Sequence, residues 1–362
     1  MLGISIYLSK EHIEKNLQLI QSAKASGFQS IFTSLHIPED DPSTYKELLQ
    51  LLGQQAKNHQ MELIADISPK SLSYLGLNYS SVTELVNWGV AGLRVDYGLS
   101  EKQISELSKK MKVALNASTI TEEFLETLLQ NDLCTENVEA WHNFYPRPET
   151  GLSKRYLIEK NRWLKKCGIT TMAFIPGDGE KRGPLYKGLP TLEKHRETIP
   201  LHAYLELIKS CYVDKVLVGD ISLTKETMEN LALAKDYIPL RYKPDLSDQT
   251  LLKSIEEIHT NREDPARDVI RSMESRLYGR FGHVKLLPNN TIDRVRGSIT
   301  IDNELYGRYA GEMQITLTNL PSDPNVNVVG KIIDEDLQLL SYIGAGSNFK
   351  LIPVKDKQLQ TV

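Results

Sequence analysis

Residues 62–96 read ELIADISPKSLSYLGLNYSSVTELVNWGVAGLRVD. Two short apolar runs, 62–68 and 92–96, stand at either end, and in each the ionisable residues are an even number of positions apart. Glu62, Ile64 and Asp66 share one side of the first run, and Arg94 and Asp96 share one side of the second. A period of two is that of a β-strand, whose successive side chains point to opposite faces. Each run therefore ends with charged groups aimed in a common direction.

The same unit recurs on both sides of this stretch. Further apolar runs occupy residues 4–8, 30–36, 113–118, 138–144, 171–177 and 215–220, with segments of helical spacing between them. Ile13, Leu17 and Ile20 share a face, as do Leu48, Leu52 and Ala56. Helix ends are punctuated. Ser9 precedes the first helix and Gly27 follows it, Asp41-Pro42 opens the second, Ser100 and Gln103 form a capping box, and Gly168 closes a later one. Eight β-then-α units in series imply parallel strands, and a closed (β/α)₈ TIM barrel accommodates them most simply. A doubly wound open sheet is the competing fold.

The pattern changes after about residue 245. A helix-like stretch at 248–259 leads to alternating segments at 283–287, 297–301, 312–317, 328–333 and 349–354. Asn289-Asn290 and Asp302-Asn303 fall where hairpin turns would lie. The expected organisation is a TIM-barrel catalytic domain over residues 1–244 and a small antiparallel β-barrel domain, with its linker, over 245–362.

The bulk numbers exclude several classes. The chain has 362 residues, 40% hydrophobic and 25% charged, with a net charge of −4. Nucleic-acid binding usually requires a basic face, so no nucleic acid is expected. Cys134, Cys167 and Cys211 are too far apart for a CxxC site, which argues against a zinc centre or a disulfide framework. No apolar run approaches the roughly 20 residues needed to span a bilayer, and the N-terminus reads as a strand rather than an export signal. No membrane association and a cytoplasmic location are expected.

Chemistry in a TIM barrel sits at the C-terminal ends of the strands. The predicted strands end in Ser5 and Tyr7, Ser34 and His36, Asp66, Arg94 and Asp96, Asn116 and Ser118, His142 and Asn143, Asp178, and Asp220, with Glu139 earlier in the sixth. Two following loops are dense in functional groups. Residues 141–151 hold Trp141, Tyr145, Arg147 and Glu149, stiffened by two prolines. Residues 176–196 form a long loop carrying Lys181, Arg182, Lys187, His195 and Arg196 as cations for an anionic group.

Six segments, LGISIYLS (2–9), ADISP (65–69), LRVDYG (93–98), LNASTI (115–120), HNFYPRPETGLS (142–153) and RGPLYKGLPTLEKHR (182–196), resemble the 6-phospho-N-acetylmuramidases. The likeness spans nearly the whole chain. It implies a barrel followed by a cyclophilin-like domain, and hydrolysis of the β-1,4 bond of N-acetylmuramic acid 6-phosphate–N-acetylglucosamine in cell-wall recycling. No cofactor and no metal are implied.

Such a substrate carries a phosphate of roughly −1.5 to −2 charge and a lactyl carboxylate, so it needs cations, and its glycosidic oxygen needs a proton donor. Position along the strands makes Asp66 and Asp96 the leading carboxylate pair, with Glu149 the alternative acid. A retaining, an inverting and an acetamide-assisted mechanism all remain open. Arg94 would position an aspartate and keep it ionised. Asn116, His142 and Asn143 would bond hydroxyls or the acetamide, while Tyr7, Trp141 and Tyr145 would cover sugar faces. Lys181 and Arg182 would hold phosphate and Arg147 the lactyl group or phosphate, with His36, Asp178 and Asp220 completing the rim. Arg276, Arg280, Arg296 and Arg308 suggest that the small domain helps bind the anion; a purely structural domain that promotes a homodimer is the alternative. Rival functions for the same barrel are a phosphosugar isomerase, an aldolase, or a sugar-phosphate sensor. The strands offer no lysine at the mouth for a Schiff base.

Overall fold

A computed structural model describes residues 1–35, 42–95, 98–245, 249–275 and 286–354. The chain divides into two units, Met1–Ala232 and Leu233–Val362.

In the first unit β1 (Leu2–Ser5), β2 (Ser30–Ser34), β3 (Glu62–Ile67), β4 (Gly92–Val95), β5 (Lys112–Asn116), β6 (Val138–Trp141), β7 (Thr170–Ile175) and β8 (Lys215–Val218) form a closed parallel barrel in sequence order. β1 pairs with both β2 and β8, which closes the ring. The helices are α1 (Ile13–Ala25), α2 (Tyr45–Asn58), α3 (Pro69–Tyr74), α4 (Glu84–Asn87), α5 (Glu101–Ser108), α6 (Glu122–Gln130), α7 (Lys154–Lys166), α8 (Pro200–Ser210) and α9 (Lys225–Leu233). The eight strands fall where the alternation places them, and apart from β4, whose expected last residue lies outside the described residues, each ends a little earlier than expected.

Local chemistry explains most helix ends. Ser100 and Gln103 make the reciprocal capping box at α5, a motif whose cap contributes about 1 kcal/mol. Gly27 and Gly168 take the left-handed conformation after α1 and α7. Ser9 caps only a short 3-10 turn, Lys10–His12, and its side chain makes no capping bond. Asp41 lies outside the described residues.

The barrel interior is layered. Glu62, Lys112, Glu139 and Lys215 lie at the N-terminal floor. Lys215 Nζ bonds Glu139 at 2.7 Å and also bonds Glu62; Lys112 bonds Glu62 at 2.6 Å. Lys215 is 2% exposed. Burial alone would push the Glu62 carboxyl up, but Lys215 and Lys112 outweigh it and hold it below the usual range. Above this floor pack Phe32, Ile64, Ala114, Trp141, Met172, Phe174 and Leu217. Trp141 donates its indole N–H to Glu139 at 2.7 Å, and its ring faces Lys215 Nζ at 5.3 Å. It is buried and belongs to the core; the expectation that it covers a sugar is corrected by the inward direction of its strand position. Gly92 is needed here for close approach, because a Cβ would fall 2.7 Å from Ile64 Cδ1 and 2.6 Å from Lys112 Cβ.

The second unit holds β9 (Ile238–Pro244), α10 (Gln249–Ile255), β10 (Ile258–Thr260), β11 (Val269–Arg271), β12 (Ser298–Asp302), β13 (Met313–Thr316), β14 (Val326–Ile332) and β15 (Asn348–Pro353). Their order is β10-β15-β9-β14-β12-β13-β11, and a bridge between Asn261 and Ser272 nearly closes the sheet into a barrel. The sheet is mixed rather than wholly antiparallel, because β15 runs parallel to β9. β9 belongs to this sheet, so the second unit begins earlier than the change of pattern at 245. The helix expected over 248–259 ends at Ile255, and His259 lies in β10. Of the strand expected at 283–287, residues 283–285 lie outside the described residues and 286–287 form no strand.

Candidate active site at the barrel mouth

The third inward layer, at the C-terminal ends of the strands, is polar. Asp66 on β3 and Arg94 on β4 are register partners, both buried, and Arg94 Nη1 donates to Asp66 Oδ1 at 3.1 Å. Ser34 on β2 donates to the other Asp66 oxygen at 3.3 Å. The second guanidinium arm of Arg94 donates to the Asn143 side-chain oxygen. Asn116, one strand over, accepts from the Ser118 amide at 3.0 Å. Tyr145 joins this group near Ser118 and Arg94; burial raises its phenol above the ordinary range. Phe144 packs edge-on to Phe174 and Phe32, which places an apolar shelf beneath these polar groups.

Across the mouth a second cluster forms on β1, β7 and β8. Tyr7 donates to the Gly219 carbonyl, and the Arg182 guanidinium lies 4.3 Å from the Tyr7 ring centre. Such stacking contributes about 0.5–2 kcal/mol. Burial pushes the Tyr7 hydroxyl well above its usual range, with Arg182 opposing. Asp220, 1% exposed, is a hub for backbone amides. It accepts from Gly177 at 2.8 Å, from Arg182 at 3.1 Å and from Leu189 at 3.2 Å. One carboxylate thus ties the start and middle of the 176–196 loop to the end of β8, and sets the backbone that presents Arg182. Lys181 is half-buried on the same loop.

The two dense loops are joined to each other. Arg196 forms a two-pronged pair with Glu193, at 2.7 and 2.6 Å, and also donates to the carbonyls of Tyr145, Arg147, Lys187 and Gly188. Glu193 accepts the amides of Glu149 and Gly151, each at 2.8 Å. Bonding by Arg196 and these amides holds the Glu193 carboxyl down to about 2. A Cβ on Gly151 would fall 2.7 Å from Glu193, so glycine is required for this approach.

Tyr7, Asp66, Arg94, Asn116, Asn143, Tyr145, Lys181, Arg182 and Asp220 therefore lie at one end of one barrel. Besides Trp141, two expected site residues lie elsewhere. His142 points outward between β6 and α7, bonding Asn161 at 2.7 Å; alternation puts it on the opposite face from Asn143, and burial lowers its imidazole to about 4. Asp178 is exposed and accepts from the Thr224 amide and from the hydroxyls of Thr224 and Thr227, which caps α9. Glu139 belongs to the floor. Arg147 and Glu149 are exposed on their loop. Asp96 and His36 lie outside the described residues, as do Arg276 and Arg280. Arg296 donates to the Leu337 carbonyl and Arg308 lies on Tyr309.

The structural pair Glu193 and Arg196 was not legible as such, since nothing in the order of residues says that a loop arginine faces backbone carbonyls. His195 and Lys194 likewise serve Glu206, at 2.7 and 2.6 Å, with Lys154 at 2.9 Å. Among the described residues no three His, Cys, Asp or Glu side chains are grouped to hold a metal ion. No described helix is long and apolar enough to cross a membrane.

Comparison with known proteins places these two units in a family. The profile of the 6-phospho-N-acetylmuramidase N-terminal domain matches residues 2–233, and that of its C-terminal domain matches residues 238–352. A crystal structure of a conserved Enterococcus faecalis protein of unknown function is 42% identical, covering 98% of this chain and 96% of that one, with a TM-score of 0.85. An uncharacterized B. cereus protein is 30% identical over 97% of this chain and 99% of its own, with a TM-score of 0.79. No functionally curated protein matches. With both profiles matched in order across barrel and small domain, the chain belongs to the 6-phospho-N-acetylmuramidase family.

Proposed function

We propose that this protein is a cytoplasmic glycoside hydrolase that cleaves the β-1,4 bond of N-acetylmuramic acid 6-phosphate–N-acetylglucosamine during cell-wall recycling. The observation that carries this reading is the pairing at one barrel mouth of a buried, ion-paired carboxylate, Asp66, with a preorganised cation, Arg182. Glycoside hydrolysis needs carboxyl groups beside the scissile bond, and a phosphate monoester needs charge-assisted donors.

In this reading Arg182 and Lys181 receive the phosphate, and Tyr7 supports Arg182 from below. Arg147 meets the lactyl carboxylate. Asn116, Asn143 and Tyr145 bond the sugar hydroxyls and the acetamide. Asp66, its charge balanced by Arg94, stabilises positive character at the anomeric carbon, either by direct attack or by orienting the acetamide. With Asp66 engaged by Arg94 and Ser34, the proton donor is Glu149 or Asp96. The barrel lysines Lys112 and Lys215 are committed to the floor ion pairs, which gives a Schiff-base aldolase no support.

The test is to incubate the protein with the phosphorylated and unphosphorylated disaccharides and follow both sugars by mass spectrometry. Cleavage confined to the phosphorylated compound supports the proposal. Binding without cleavage would move a sensor function to the front, and isomerisation without bond cleavage would sink the hydrolase reading.

A further inference from the structure

Arg196 looks from the sequence like one more cation for an anionic substrate. Its environment says otherwise. The residue is 9% exposed, its charge is matched by Glu193, and its N–H groups are taken up by that carboxylate and by backbone carbonyls. Nothing of the guanidinium is left to meet a phosphate.

What the pair does hold is the backbone of the loop after β6. The Tyr145 and Arg147 carbonyls are bound from the Arg196 side, and the Glu149 and Gly151 amides from the Glu193 side. These anchors alternate along seven residues, so the segment has little freedom to shift. Glu149 sits in the middle with φ of 73°. For a residue with a Cβ that conformation costs on the order of 1 kcal/mol and persists only when the surroundings impose it. In that conformation the Glu149 backbone N–H donates to Glu193 at 2.8 Å. The Glu149 side chain is exposed and makes no ion pair among the described contacts.

We propose that Arg196 and Glu193 are positioning residues for Glu149, and that Glu149 is the proton donor to the leaving sugar. The proposal rests on the muramidase reading above. In the reaction the bond from the anomeric carbon to the bridging oxygen breaks, and its electron pair stays on that oxygen. The oxygen takes the Glu149 carboxyl proton, so the leaving sugar departs as a neutral alcohol. Water then supplies the oxygen that bonds the anomeric carbon, and its proton restores the Glu149 carboxyl.

Leaving-group dependence separates this role from a merely structural one, because an activated aryl leaving group departs without protonation. Wild type, Arg196→Lys, Glu193→Gln, Gly151→Ala and Glu149→Gln would be assayed on two substrates. One is the phosphorylated disaccharide, and the other is the 2,4-dinitrophenyl β-glycoside of N-acetylmuramic acid 6-phosphate. Glu149→Gln is expected to lose about 10²–10⁴ in kcat on the disaccharide, with a loss on the aryl glycoside at least tenfold smaller. Arg196→Lys and Glu193→Gln are expected to show the same split at roughly 10- to 100-fold, with KM little changed. Gly151→Ala displaces Glu193 without removing either charge, and keeps the test open if a charge variant fails to fold. Equal losses on both substrates in the folded variants would overturn the positioning role, as would full disaccharide activity in Glu149→Gln. Absence of wild-type cleavage of the disaccharide would instead remove the muramidase reading, and the proposal with it.

Discussion

Arg94 lies directly opposite Asp66 in the register of β3 and β4, and the two buried side chains meet at 3.1 Å with Arg94 continuing to Asn143 in the loop after β6. One guanidinium therefore links β3 to the segment that follows β6. Removing it takes away the guanidinium that balances the Asp66 charge, a change that costs about 3–5 kcal/mol in buried pairs. Arg94→Met should lower the urea midpoint accordingly, and Arg94→Met with Asp66→Asn should recover part of the loss. A double variant no more stable than Arg94→Met alone would show that the pair does not carry this stability. On the functional side, Asp66→Asn should keep the fold and lose about 10²–10⁴ in kcat, measured on the phosphorylated disaccharide.

The floor cluster gives a prediction free of any functional reading. Lys215 lies between Glu62 and Glu139. Lys215→Met would leave Glu62 and Glu139 with Lys112 as their one remaining described cation and should destabilise by about 3–5 kcal/mol. Adding Glu139→Gln should restore part of that. Chemical denaturation of the three proteins decides it.

Arg182 and Asp220 should act on binding more than on turnover. Arg182→Met removes charge-assisted bonds of about 1.5–3 kcal/mol and should raise KM for the phosphorylated disaccharide roughly 10- to 100-fold. It should also erase the preference over the unphosphorylated compound. Asp220→Asn should move KM in the same direction, since one amide oxygen cannot accept from three backbone N–H groups. A preference for phosphate that survives Arg182→Met would place the anion elsewhere.

The two units should respond to acid in opposite directions. His142 is lowered by burial from 6.5 to about 4, so its contribution to the barrel is complete above pH 6.5 and is lost as pH falls towards 4. That loss reaches about 3 kcal/mol. Asp302, in the small domain, is raised from 3.8 to about 7 by burial and by the neighbouring Glu312 and Asp323 charges. Its contribution is complete below pH 3.8 and is lost as pH rises through 7. Hydrogen exchange corrected for intrinsic rates, at pH 4.5 and 6.5, should show protection rising with pH in β6 and β7 and falling in β12 and β13. His142→Gln and Asp302→Asn should each flatten the trend in their own unit. Trends of the same sign in both units would contradict the assignment.

Much of this architecture could be read from local pattern, and the limits have a common cause. Alternation in 62–66 and 92–94 was enough to place Glu62, Asp66 and Arg94 on inward faces, because a strand's period is a property of the chain itself. The depth of each inward residue was harder to read. Glu139 is ionisable like the strand-end residues yet lies in the floor near the start of β6, and Trp141 has the character of a sugar platform yet fills the core. His142 was assigned to the mouth because it is polar and near a strand end, yet the same alternation that puts Asn143 inside puts His142 outside. The clasp between Glu193 and Arg196 depends on carbonyls 49 and 51 residues away, and residue type alone carries no record of such partners. β9 escaped the division at 245 because its partners, β14 and β15, come from near the end of the chain.

The salt-bridged floor and the aromatic layer above it fill the barrel below its polar ring, so no passage runs through the barrel from end to end among the described residues. If the barrel is the hydrolase proposed above, both sugar fragments would have to leave by the face through which the substrate came. The fragment nearer the rim would depart first, and the deeper one would compete with fresh substrate while the first would not.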